Sequence, residues 1–340
     1  MASMRWRLEP TRREFLAAVP LAAAAATAAC RGPRYNRSEF PLPAESPMAL
    51  LPATDYGVDF ADLISRGFRI LRPQLGGRRV LLKPNLVEYE AGTVINTNPL
   101  VIAGAIEAFR RAGAREVVVA EGPGHRRDTE YLLGAAGLRD HLKELNTSFV
   151  DLNLDDVRPV RLRSRFMGLD TLMLPVEVLK SDVVVSVAKL KTHHWTGMTA
   201  AMKNLFGLVP GAVYGWPKNL LHVRGIESSI LDLNATIRPA LAIIDAVVAM
   251  EGDGPIMGTP RHTGFLAMGS DVVAVDATCA RIMGLDPAKM GYLREASRYL
   301  GNIDPKRIRQ AAESPGRFES VFDVVDHLKP LRLQRPGQPG

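Results

Sequence analysis

The sequence predicts an α/β fold: a mainly parallel sheet with helices on both faces, built as one large domain or as two closely joined lobes. Three observations carry this. Short apolar runs alternate with helical patterns from residue 79 onward. One run, Val183–Ala188, is apolar except for Ser186, as expected of a strand covered on both faces. Apolar residues make up 46% of the 340-residue chain and charged residues 23%, which supplies a sizeable core.

The chain opens on what reads as an export signal. Thr11-Arg12-Arg13-Glu14-Phe15-Leu16 fits the twin-arginine pattern. The apolar run that follows, Phe15–Ala29, is too short to span a bilayer and is interrupted by Pro20. Residues 1–30 are therefore expected to be a signal peptide read by the twin-arginine translocase. Thr27-Ala28-Ala29-Cys30 leaves two ends open: Cys30 is lipidated and anchors the protein, or cleavage near an Ala-x-Ala stretch releases it to the periplasm. Residues 31–56, rich in Pro, Arg and Ser, read as a linker. Residues 57–328 form the α/β domain, and the Pro/Gly-rich stretch 329–340 reads as a flexible tail.

Within the domain, Val80–Leu82 reads as a buried strand. Asn98 is an N-cap with Pro99 at the first helical position, and that helix runs to Gly113. Val117–Ala120 is a second strand, followed by helical pattern from Asp128 to Asn146 and a third strand at Phe149–Leu152. Val157–Leu162 alternates and reads as an antiparallel excursion. After the apolar strand at 183, helix is expected over Thr196–Phe206, stopping at Gly207, and over Ile226–Ile237. Strands follow at Leu241–Ile244 and Phe265–Met268. Asp271 caps a helix that ends at Gly284, and Asp286-Pro287 and Asp304-Pro305 each look like the start of one more.

Polar clusters come directly after these strands: Lys83-Pro84-Asn85, Glu121-Gly122-Pro123-Gly124-His125, Lys189-Leu190-Lys191-Thr192-His193-His194, Asp245, and Gly269-Ser270-Asp271. In an open parallel sheet ligands bind beyond the carboxyl ends of the strands, so these clusters are expected along one edge. Together with Thr97-Asn98-Pro99, Lys203-Asn204-x-Phe206-Gly207 and Val275-Asp276-Ala277, this ordered set resembles the domain of unknown function 362 family over about residues 79 to 285. The resemblance implies the fold and the site's location and brings no settled activity. Many members of that family carry ferredoxin-type cysteine clusters. This chain has two cysteines, Cys30 and Cys279, so it cannot by itself ligate an iron–sulfur cluster.

The candidate ligand-binding residues are Lys83, Asn85, Lys189, Lys191, Lys203 and Asn204. Lys189 and Lys191 are two apart, so in extended chain they share a side, and an anion between them would relieve their repulsion. His193 is the candidate acid/base. His194, its neighbour on an extended strand, would point the other way, and His222 and His262 look isolated. Asp276 lies on an otherwise apolar helix face and Glu251 in an acidic glycine-rich loop; either would move protons with His193. Asp245, Glu251, Asp253 and Asp276 with His193 would also make a mixed nitrogen–oxygen site for a metal ion.

The net charge is +7, yet no dense Lys/Arg run is interleaved with aromatics, which are 6% of the chain, so a nucleic-acid partner is not expected. Three functions fit. The first is an exported enzyme acting on a small anionic substrate. The second is a redox or cofactor-handling accessory whose partner holds an iron–sulfur cluster. The third is a non-catalytic binder of an anionic ligand.

Overall fold

The computed structural model describes residues 33–124 and 128–334; the signal sequence, Cys30, His125 and residues 335–340 lie outside them. The strands, in chain order, are β1 (Ser46–Pro52), β2 (Arg79–Pro84), β3 (Glu116–Glu121), β4 (Phe149–Asp151), β5 (Val157–Arg161), β6 (Thr171–Pro175), β7 (Val183–His193), β8 (Gly197–Thr199), β9 (Leu241–Glu251), β10 (Thr259–Gly269) and β11 (Ile308–Gln310). All but β5 and β6 belong to one sheet, ordered β11-β1-β10-β9-β7-β2-β3-β4, with β8 folded back on β7.

The run from β9 through β7, β2 and β3 to β4 is wholly parallel. β10 runs antiparallel to both β9 and β1. The sheet is thus mainly parallel, with an antiparallel insertion on one side. β5 and β6 form the separate antiparallel pair that the alternating pattern foretold. Described residues from Arg37 onward form one compact unit, so the two-lobe alternative is not what the chain adopts.

Alternating side chains along the strands feed two layers. On one face, Val80, Leu82, Val117, Val119, Val185 and Val187 pack against α1 (Phe60–Leu71) and α2 (Pro99–Arg111). α1 is capped by Asp59, whose side chain accepts from the Asp62 amide. α2 begins as its sequence requires: Asn98 accepts from the Leu100 amide and Pro99 stands at the first turn. On the other face lie α3 (Ala201–Asn204), α4 (Ile226–Ile237) and α5 (Val272–Ile282). α5 packs on β9 and β10, and α3 on β7. No helix among the described residues is long and apolar enough to cross a membrane.

Several expectations are corrected. The stretch 31–56 is not all linker: residues 46–52 form a strand inside the sheet, because the apolar core Met48–Leu51 is wholly buried between β10 and β11. The tail is pinned at its start, where Leu333 N donates to Gly284 O. Thr196–Phe206 is not one helix. Gly197, with φ +84, turns the chain into β8, and only Ala201–Asn204 is α-helical before a 3₁₀ turn at Leu205–Leu208. Asp286-Pro287 makes a turn, and Asp304-Pro305 opens a single 3₁₀ turn.

Candidate functional site

β2, β3, β7 and β9 end on the same edge of the sheet, and a cavity of about 360 Å³ lies there. Its lining includes Lys83 at the end of β2 and Asn85 beyond it, Glu121 at the end of β3 and Gly122 beyond it, Lys191 and His193 from β7, and Asp253 beyond β9. α3 adds Lys203 and Asn204 from the side. The segment after the 3₁₀ turn adds Lys218 and His222, and Trp195 and Met257 form an exposed apolar rim.

The floor is a buried polar network. Lys83 Nζ lies 2.5 Å from Glu121 Oε2 and 3.0 Å from Asn204 Oδ1, and it also donates to Pro84 O. Asn204 Nδ2 in turn donates to Lys83 O and Ser186 Oγ, which ties α3 to the sheet. The backbone of Gly207 passes over this pair: a Cβ there would stand 1.7 Å from Glu121 Oε1, so only glycine fits. Burial pushes Lys83 down and the Glu121 charge pulls it back up. Asn85 Oδ1 is buried with no hydrogen-bond partner among the described residues, an open acceptor in the lining.

The other three lysines lack a carboxylate partner among the described residues. Lys191 Nζ donates only to Ile95 O at 2.8 Å. Burial, then the Lys203 and Lys189 charges, hold it well below the usual lysine range. Lys218, in a left-handed conformation (φ 70), donates to Asn153 Oδ1 at 2.8 Å and to Val209 O, and burial lowers it to about 8. Lys203 Nζ sits 3.7 Å from the Phe206 ring centroid and is lowered to about 7 by burial and by Lys83.

Two histidines have defined tautomers in their neutral forms. The Trp195 amide donates to His193 Nδ1 at 3.2 Å, so the ring proton is on Nε2. His222 Nδ1 is 3.1 Å from Lys218 O, which can only accept, so there the proton is on Nδ1 and Nε2 is the basic atom. Burial, followed by Lys203, pushes His193 well below the usual histidine range. For His222 burial lowers the pKa, the bond to Lys218 O raises it, and Lys203 lowers it further; the net direction is down.

Of the residues expected from sequence, Lys83, Asn85, Lys191, Lys203, Asn204 and His193 come together here. Lys189 does not. Its Nζ is bound by Tyr56 Oη at 2.7 Å and Asp245 Oδ2 at 3.0 Å in a separate buried cluster. The cause is a register shift: Lys189 stands opposite Asp245 on β9 but Lys191 opposite Met250, so no anion is needed between the two lysines. Asp276 also lies elsewhere. It is fully buried and accepts from the Ala201 and Met202 amides at 2.8 and 3.0 Å, fixing the start of α3. Glu251 pairs with Arg261 at 3.2 Å and accepts from the Asp323 amide. Among the described residues no three His, Cys, Asp or Glu side chains converge as metal ligands, so the mixed metal site is not assembled.

His194 lines the cavity beside His193, 3.3 Å from Asp253, instead of pointing away. Strand alternation fails because β7 ends at His193 and His194 is already in a turn. Lys218 was missed, and His222, which the sequence left as isolated, also lines the cavity. Their i, i+4 spacing was the available signal.

Fold and site together define an α/β protein with a lysine- and histidine-lined cavity at the carboxyl edge of its parallel strands. The chain belongs to the family described as Domain of unknown function (DUF362), whose model matches residues 80–281. It is 33% identical over 219 residues to a thylakoid-associated protein of Synechocystis sp. The aligned region is 62% of this chain and 65% of that protein's length, so the chain spans less than two thirds of that relative. Among solved structures it is similar to the lactate racemase apoprotein of Thermoanaerobacterium thermosaccharolyticum. The TM-score is 0.43 at 13% identity, covering 72% of this chain and 59% of that one. It is also similar to a Thermotoga maritima protein, with TM-score 0.37 at 11% identity, covering 65% and 57%.

Proposed function

We propose that the chain is an exported enzyme that binds a small anionic substrate in this cavity and moves protons on it. One observation carries the reading: four lysines line one cavity, and only Lys83 has a carboxylate partner among the described residues. Crowded, desolvated ammonium groups shed protons when the cavity is empty. A carboxylate or phosphate restores them by supplying the missing counter-charge. His193 then presents an N–H and His222 a basic nitrogen to the same ligand, the pair that proton transfer needs. The apolar rim suits an anion with a short hydrocarbon or aromatic part. Export is supported by Arg12-Arg13 and the apolar run behind them.

The test is calorimetric titration of the mature protein with a set of small carboxylates and phosphates, followed by turnover assays on those that bind. Binding should be lost in Lys191→Met. His193→Ala should keep binding and lose roughly 10²–10⁴ in rate. Unchanged turnover in His193→Ala would leave a non-catalytic binder, and no binding by any anion would end the proposal. Cell fractionation with and without Arg12→Lys/Arg13→Lys tests export.

A further inference from the structure

The four cavity lysines are not equivalent. Lys83 is held by Glu121, Asn204 and Pro84, Lys191 by Ile95 O, and Lys218 by Asn153 and Val209. All three are almost fully buried. Lys203 differs. It is partly exposed to the cavity, and its Nζ makes no hydrogen bond among the described residues, resting over the Phe206 ring. Of the four amines, it is the one not already donating to protein acceptors among the described residues.

We infer that Lys203 is an amine nucleophile that condenses with the carbonyl carbon of a small oxo acid held in the cavity, forming a protonated imine. The inference rests on the anion-binding reading and narrows its substrate class. Lysine usually fails as a nucleophile near neutrality because it is protonated. Burial and Lys83 remove that obstacle here, bringing Lys203 to about 7. The neighbouring lysines hold the substrate's carboxylate, which leaves its carbonyl for the one untied amine.

The step balances with the groups present. The Lys203 lone pair forms the C–N bond while the C=O π pair moves to oxygen, which accepts a hydrogen bond from His193 Nε2–H. His222 Nε2 takes one proton from the new ammonium and returns it to that oxygen. A second proton, from solvent through His222, lets the oxygen leave as water as nitrogen closes the C=N bond. One water is released, one proton is taken up, and no oxidant or reductant is consumed. The resulting iminium is an electron sink for breaking a bond at the adjacent carbon.

The experiment is borohydride trapping. The mature protein is incubated separately with pyruvate, acetoacetate and phenylpyruvate, reduced with sodium borohydride, and mapped by peptide mass spectrometry. The expected result is a reduced adduct on Lys203 exceeding that on any other lysine. It should be suppressed by the matching hydroxy acid and lost in Lys203→Arg. If the hydroxy acids or phosphate bind by calorimetry but no oxo acid traps Lys203, the nucleophile is refuted and the anion site stands. If nothing binds and nothing traps, both fall. An adduct centred on Lys191 or Lys218 also overturns the assignment. Mapping on the unsubstituted protein decides the matter even should Lys203→Arg fold poorly.

Discussion

Glu121 lies directly beneath Gly207, and no methyl group fits between them: a Cβ would fall 1.7 Å from Oε1 and 2.6 Å from Lys83 Nζ. Gly207 does not have a positive φ, so the constraint is contact and not backbone conformation. Gly207→Ala should therefore force apart a buried ion pair. Denaturant unfolding should show a loss of roughly 3–5 kcal/mol, the usual cost of leaving a buried charge unpaired. A loss below about 1 kcal/mol would mean that the 3₁₀ turn moves aside freely.

Asp276 gives stability a distinct pH dependence. Burial raises it to about 7 against the pull of the Ala201 and Met202 amides. A carboxyl raised in the folded state contributes stability that is complete below its unfolded value near 4. That contribution is lost as pH rises through about 7. Asp276→Asn should flatten this decline, gaining on the native protein between pH 5 and 7.5 by on the order of a few kcal/mol in urea unfolding. Parallel stability–pH curves for the two proteins would sink the assignment.

Anion binding should draw protons from solvent. Lys203, near 7, and Lys218, near 8, are only partly charged at pH 7.5. A bound anion favours the charged form of each. Titration in buffers of different ionisation enthalpy should show net uptake of up to about one proton from the two lysines together. Affinity should fall from pH 7 to 9 by up to roughly tenfold per unit for each proton coupled. Binding that is indifferent to pH across this range would argue against lysine as the anion's partner.

Tyr56 separates the structural lysine from the cavity lysines. Its hydroxyl joins Lys189 at 2.7 Å to Asp245 at 3.0 Å, outside the cavity lining. Tyr56→Phe should cost about 1–3 kcal/mol through the acceptor lost to a buried ammonium, with anion affinity unchanged. Lys191→Met should do the reverse, weakening binding more than folding. Equal loss of affinity in both variants would place Lys189 back in the site.

Much of the frame was legible because local signals agreed. The apolar runs of β2, β3 and β7 and the cap at Asn98-Pro99 appear where residue type alone puts them. β1 was hidden because prolines at positions 47 and 52 bracket a short apolar core, and its burial comes entirely from partners distant in sequence. The site was half legible. Lys83, Lys191 and Lys203 follow elements that pattern reveals, whereas the shift opposite β9 that parts Lys189 from Lys191 is a property of pairing. Lys218 occupies a left-handed conformation that no lysine advertises.

The position of β1 bears on the order of synthesis. Ser46 is opposite Ile308 and Met48 opposite Gly269, so β1 borders two strands that are translated long after it. While the ribosome lays down β2 to β9, residues 46–52 have no strand to join, and β11 reaches the sheet later still, after β10. β1 must be kept from other partners until β10, about 200 residues downstream, has been made.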